Sequence, residues 1–440
     1  MLAFILIVLM CFFYIINEFV TIAFIENIYL ILTAGVFILM WSRLTGLTKI
    51  FTMILLVSGV IIHMITGVFI IEGLTQNVPL LALLLLAPLL SVPLRREGLL
   101  EGAISHLEQY KDHPRYLFYG ISSMTAVVSP VLNMGAIRIV NGLIAHLKAS
   151  PQVLSRSYFV GLTPAMIWSP FLAPVGIVLF YLDLQYLSFM PLAVTFAFLQ
   201  LVVGLLVFRA EGKFQKDDSM TAFSRKERLD LIKILVFVLA IVGILLISEQ
   251  FLDESMLLLV SLISLIVPGI WFLFRATKDI FKEEMMTFQN RLQHQSKNEI
   301  CLFLSAGVFG NAVAGTGVRT LLEDAMIVAS EFSLIVLFLF FVLCVSICAF
   351  LGIHQVITVP LLITAFLSTG SDVDPLLFAF ICVFTWMVAS ALSPLNALNI
   401  IVSTSVERSG MTVAYKYNGV YFLVMTTLAG VYLMVISFGL

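Results

Sequence analysis

The sequence predicts an all-α integral membrane protein of about eleven transmembrane helices, folded as an inverted repeat with two opposed re-entrant hairpins and two broken helices. Three observations predict it. Hydrophobic residues make up 61% of the 440, charged residues 11%, and mean hydropathy is +1.10; soluble chains are roughly 45–50% apolar and about 25% charged. The apolar residues gather into runs near the roughly 20 that cross a bilayer core. Short segments also recur in the same order 222–224 positions apart. No single core could hide this much apolar surface from water, which excludes a soluble enzyme and a disordered chain. The first partner is therefore the lipid bilayer. Net charge is −2 and pI about 6.3, so no global field suits a nucleic acid. The cysteines (Cys11, Cys301, Cys344, Cys348 and Cys382) lie in or beside apolar runs with no CxxC pair. They predict small buried residues rather than a disulfide framework or a zinc site.

Taken in order, the runs are 1–18, 27–42, 50–71, 78–94, 116–147, 157–182, 187–208, 232–248, 255–274, 300–318, 333–370, 375–405 and 417–440. The first has no Lys or Arg before it and no small-residue cleavage site after it, which predicts a retained span. Segments 116–147 and 333–370 are too long for one helix. The first carries Ser129-Pro130 and Gly135 near its middle, the second Gly352 and Pro360. The bases orient the rest. Loops 43–49, 95–115, 148–156, 209–233, 275–298 and 406–416 hold 22 of the 24 Lys and Arg, which places them and the N-terminus in the cytoplasm. Segment 116–147 is flanked by Arg115 and Lys148, so it dips in from the cytoplasm. Segment 333–370 is flanked by Glu331 and Asp372, so it dips in from the other face. The C-terminus then lies outside a multi-pass protein of the cell membrane. Irregular backbone at membrane depth is tolerated only in protein or beside a cavity, so two opposed hairpins point at a central site.

The halves match. Leu99-Leu100-Glu101-Gly102-Ala103 recurs as Leu321-Leu322-Glu323-Asp324-Ala325. Ser169-Pro170-Phe171-Leu172-Ala173-Pro174-Val175-Gly176-Ile177-Val178 recurs as Ser393-Pro394-Leu395-Asn396-Ala397-Leu398-Asn399-Ile400-Ile401-Val402, with five identities in ten. The organisation expected is an extra N-terminal span (1–26), a first repeat (27–209) with hairpin 116–147 and broken helix 157–182, a cytoplasmic linker (210–231), and a second repeat (232–440) with hairpin 333–370 and broken helix 375–405. Inverted repeats with broken helices meeting at the midplane characterise secondary transporters.

On these elements the chain resembles the ion transporter superfamily, the group holding the divalent anion/sodium symporters and the arsenite and sodium/proton antiporter relatives. The symporters typically carry Ser-Asn-Thr at their hairpin tips. Here the tips read Ser129-Pro130-Val131-Leu132-Asn133 and Gly352-Ile353-His354-Gln355, which leaves the substrate open. The resemblance implies a moving transport domain braced by interfacial helices against a static, often dimeric scaffold, hence a homodimer. Stretches 97–110 and 321–332 suit such interfacial helices. Segment 275–298 predicts a charged cytoplasmic helix.

Candidate site residues follow from the breaks. Proline removes a donor and frees carbonyls, and Ser169-Pro170, Thr163-Pro164 and Ser393-Pro394 sit mid-segment. Asn396 and Asn399 add amides. Freed carbonyls and amide oxygens suit Na⁺, while half-helix starts suit an anion. The plainer alternative is a kink re-satisfied by neighbouring helices. Ser129, Asn133 and Gly135 offer the same chemistry from the first hairpin, and His354, Gln355 and Thr358 from the second. Arg138 is the one base assigned to the membrane interior, so it is a candidate for a substrate anion. Asn133, Gly135, Ser169 and Asn396 form the candidate Na⁺ set. All acidic residues fall in loops or at span ends, which disfavours cation-only exchange. The expected function is a secondary active transporter of the elevator type. It moves a small anionic substrate, an organic anion such as a carboxylate, coupled to Na⁺ or H⁺, with no further cofactor. An efflux antiporter of the same fold, including Na⁺/H⁺ exchange, is the alternative. A membrane-embedded enzyme is remote, since His63 and His354 have no acid beside them in sequence and no Walker A loop occurs.

Overall fold

The computed structural model describes residues 1–20, 22–66, 71–147, 149–211, 225–252, 254–313 and 316–438. Lys148 and residues 212–224 of the expected linker lie outside the described residues, as does the side chain of His106 in the 97–110 stretch. The described residues form helices and connections, with no strand among them. The helices of the first half are α1 (Leu2–Phe19), α2 (Ala23–Trp41), α3 (Gly46–Thr66), α4 (Val78–Leu86), α5 (Ser91–Arg96), α6 (Leu99–Ile104), α7 (Pro114–Leu132), α8 (Gly135–Ile144), α9 (Pro151–Trp168), α10 (Ala173–Leu182) and α11 (Tyr186–Glu211). Those of the second are α12 (Arg225–Leu252), α13 (Met256–Arg275), α14 (Lys278–Asn290), α15 (Lys297–Val313), α16 (Gly317–Phe332), α17 (Leu334–Phe350), α18 (Gln355–Leu367), α19 (Pro375–Leu392), α20 (Ala397–Ser405) and α21 (Gly419–Ser437).

Among the described residues, ten helical stretches are long and apolar enough to cross a bilayer, so the chain is a multi-pass membrane protein. The sequence run at 300–318 accounts for the difference from eleven. Its helix, α15, has 17 residues, about 25 Å at 1.5 Å per residue, short of the roughly 30 Å hydrocarbon core. The interfacial stretch 97–110 is also shorter than one helix: α6 covers six residues and a 3-10 turn follows over Ser105–Tyr110.

Local sequence sets the helix ends. Pro114, Pro151 and Pro375 open α7, α9 and α19 at the position where a missing N–H costs nothing. Ser150, Ser255, Ser333 and Asp374 cap helix starts with side-chain oxygens. The boundaries of the two broken helices repeat. The starts of α9 and α10 and the end of α9 recur in α19 and α20 at 224 residues' distance, from Pro151 to Pro375, Ala173 to Ala397 and Trp168 to Leu392.

The chain divides into two compact units. One comprises Met1–Leu89, Glu254–Val328 and Val356–Ser371; the other comprises Leu90–Asp253, Ala329–Gln355 and Asp372–Leu440. Lipid is as apolar as leucine, so close packing rather than apolar transfer must hold helices together in a bilayer. In the first unit α3 and α15 approach through glycine. A Cβ on Gly59 would lie 3.2 Å from the Phe309 backbone, and one on Gly307 would run into the Gly73 carbonyl. Asn77, 2% exposed, donates to the Phe303 carbonyl at 3.0 Å beside them. In the second unit α7 and α9 meet at Gly161, where a Cβ would strike Thr125 and the Ser122 carbonyl. The centre of this unit is α9 and α19: every residue from Ser157 to Ile167 and from Leu377 to Ala391 is buried. Phe196, Phe380, Phe384 and Tyr432 pack edge-on and tilted around them, with ring centroids 4.9–5.7 Å from Phe196.

Candidate binding site at the paired helix breaks

All the site residues expected from sequence (Ser129, Asn133, Gly135, Arg138, Thr163, Ser169, His354, Gln355, Ser393, Asn396 and Asn399) fall in the second unit. Thr358 falls in the first. The two serine-proline breaks are built alike. Ser169 ends α9 in an extended conformation (φ −74°, ψ 125°) and Ser393 ends α19 in the same one (φ −75°, ψ 121°). The buried Ser169 hydroxyl donates to the Pro130 carbonyl of α7 at 2.8 Å and accepts the Phe171 N–H at 3.3 Å. The buried Ser393 hydroxyl donates to the Ala349 carbonyl of α17 at 2.7 Å and accepts the Leu395 N–H at 3.3 Å.

The first hairpin explains why Pro130 has a carbonyl to offer. Asn133 follows α7 at φ +54° and ψ −144°, a backbone region open almost only to glycine. It stops the helix, and its own Oδ1 takes the Met134 N–H at 2.6 Å. Met134 is the donor that helical geometry would have sent to Pro130. The Ser169 hydroxyl fills the vacancy. Gly135 opens α8, and a Cβ there would meet nothing within 4 Å, so packing alone does not require glycine.

At the second break, Asn396 caps α20. Its Oδ1 accepts the Leu398 N–H at 3.1 Å and its Nδ2 donates to Gln355 Oε1 at 2.7 Å. Gln355 is fully buried, and its Nε2 has no hydrogen-bond partner among the described residues. The Ser129 hydroxyl is likewise buried and unpartnered. Asn399 turns back: its Nδ2 donates to the Ala391 carbonyl at 3.0 Å and to Gly410 at 3.2 Å, and its Oδ1 receives no donor. A Cβ on Gly410 would lie 2.6 Å from that oxygen, so only glycine lets the loop come so close. His354 sits half-buried in the turn between α17 and α18.

Arg138 lies exposed on α8, on the wall of an open groove of about 340 Å³ shared with Asn141, Gly142, Ile400, Ile401, Thr404 and Ser405 of α8 and α20. Tyr158 of α9 donates to Asn141 Oδ1 at 2.7 Å and fixes that side chain in the wall.

Thr163 is not drawn into this set. It donates to the Phe159 carbonyl at 2.7 Å and meets Tyr421 Oη at 2.9 Å, and Gln200 Nε2 donates to both hydroxyls at 2.9 and 3.2 Å. All three are fully buried. Sequence reasoning missed Gln200 and Tyr421, although a lone Gln inside the apolar 187–208 run was the available signal. It also placed Glu249 in a loop. Glu249 belongs to the last turn of α12, 7% exposed, and accepts the first two N–H groups of α11, from Tyr186 at 2.6 Å and Leu187 at 2.9 Å.

The chain is similar in fold to the Alcanivorax borkumensis YdaH transporter, whose crystal structure was described as having an unusual topology. The match has a TM-score of 0.50 at 15% sequence identity, over 84% of this chain and 87% of that one. No family model matches the sequence, and no curated protein matches it.

Proposed function

We propose that the protein is a secondary active transporter for a small organic anion, such as a carboxylate, coupled to Na⁺ or H⁺ and working by an elevator cycle as a homodimer. The observation that carries this reading is the pair of serine-braced breaks. In each, a helix is interrupted at membrane depth and its loose end is tied by one hydroxyl to the arm of a neighbouring helix. Such interruptions cost backbone hydrogen bonds in a medium without water and are kept where they line a substrate path. The fold shared with a known transporter supports transport in general.

The chemistry of the unspent groups supports an anion. Gln355 Nε2 is a buried donor lacking an acceptor, and leaving it so costs about 1–3 kcal/mol unless a substrate oxygen fills the place. The Ser129 hydroxyl can join it. Arg138 on the groove wall supplies the attracting charge. Na⁺, where it couples, takes oxygens around Asn133, Gly135, Ser169 and Asn396, none of which needs to titrate. The elevator reading draws support from the division of the chain, in which one unit carries every site residue. Inverted topology, with the N-terminus cytoplasmic and the C-terminus external, follows from the distribution of the bases.

Counterflow in proteoliposomes, with a panel of carboxylates and with or without Na⁺, tests the proposal. A carboxylate should exchange saturably. Arg138→Gln should weaken its apparent affinity more than Arg138→Lys. Robust Na⁺/H⁺ exchange without any anion substrate would refute it.

A further inference from the structure

Outside the breaks, one pair of reactive side chains stands apart. Cys344 and Cys348 lie one turn apart on α17, both half-exposed, and their thiols hydrogen-bond to each other. Cys11, Cys301 and Cys382 are buried and sit on separate helices. The pair flanks an apolar stripe in which Leu343 is 61% and Ile347 58% exposed, on a helix apolar enough to lie in lipid. A hydrated ion has no route to such a face, whereas an uncharged apolar molecule partitions into it.

Geometry separates two fates for the thiols. Side chains four apart on a helix have Cβ atoms about 5–6 Å apart, but a disulfide needs roughly 3.5–4.5 Å. Direct oxidation would therefore require the helix to unwind. A larger soft centre accepting both sulfurs spans the gap without that. Soft thiolate ligands prefer such centres.

We propose that Cys344 and Cys348 form a two-thiol site for an uncharged, lipid-soluble compound of a soft centre, of the organic trivalent arsenical class. With an arsine oxide the step balances without redox change. Two S–H bonds break, two As–S bonds form, and the oxide oxygen leaves with both protons as water. The clip would close the last turn of α17, one residue before Ala349, whose carbonyl holds Ser393.

Phenylarsine oxide added to the purified full-length protein in lipid vesicles tests this independently of transport. Intact mass should show one phenylarsenic group per chain, with the mass of two thiol protons lost. The adduct should disappear on adding excess 2,3-dimercaptopropanol, and it should be absent from Cys344→Ser and from Cys348→Ser. Should either variant fold poorly, peptide mapping of the unsubstituted protein gives the same answer: the arsenical should protect these two cysteines together from later alkylation. An adduct that survives in both variants, or an arsenical that leaves both thiols open to alkylation, would overturn the proposal.

Discussion

At the scale of single residues, the serines and amides at the breaks divide their work between bracing and binding. Ser169 and Ser393 spend their hydroxyls on backbone groups, and Asn399 spends its amide donors the same way. Gln355 keeps a donor in hand. Removing either serine hydroxyl should cost stability by about 0.6–2 kcal/mol, the range of hydrogen bonds inside membranes. Because the two sites share geometry, Ser169→Ala and Ser393→Ala should shift thermal unfolding in detergent by similar amounts. A large shift in one and none in the other would mean the equivalence is superficial. Gln355→Glu separates bracing from binding. The carboxylate still accepts from Asn396, but an acceptor replaces the free donor. Apparent affinity for the anion should fall about tenfold or more, roughly 1.4 kcal/mol, with thermal stability changing little. Unaltered affinity in counterflow would remove Gln355 from the site.

At the scale of elements, the breaks were legible because their causes are local. Serine-proline and the 224-residue recurrence are visible as letters, and the helix ends fall where they indicate. The turn after α7 was legible in place but not in conformation, since the letters do not say that Asn133 adopts a positive φ. Thr163 was misread because its partners, Gln200 and Tyr421, are 37 and 258 residues away. Polarity in an apolar run announces a site, but not which other polar group will satisfy it. The run at 300–318 was read as a crossing because hydropathy measures apolarity and not where a helix starts or stops. Asn133 yields a test at this scale. Asn133→Ala removes the Met134 partner and puts a Cβ-bearing residue without a local hydrogen bond in a strained region, which costs about 1–3 kcal/mol. Asn133→Gly loses the same partner but relieves the backbone. Alanine should therefore lower the unfolding temperature more than glycine; the reverse order would show that the side chain, not the backbone, sets the turn.

At the scale of the whole molecule, composition alone was enough to assign a membrane protein, and the architecture agrees with it. The division into two units was not legible. The units interleave three segments each along the chain, and the sequence repeat instead runs from one end to the other. Topology is the property of the whole chain most open to measurement. Single cysteines at Arg115 and Asp372, in a background lacking the native five, should label from opposite faces of sealed vesicles with an impermeant maleimide. Labelling of both from the same face would remove the opposed hairpins and the inverted repeat together.

The carboxylate of Glu249 ties the beginning of α11 to the end of α12, across more than sixty residues of chain. A ribosome makes the earlier helix first. Until residue 249 emerges, the two leading amides of α11 have no carboxylate to receive them, and lipid offers no substitute. The start of α11 therefore becomes settled only when its successor has been synthesised, and the two helices mature in the membrane as a single unit of biogenesis.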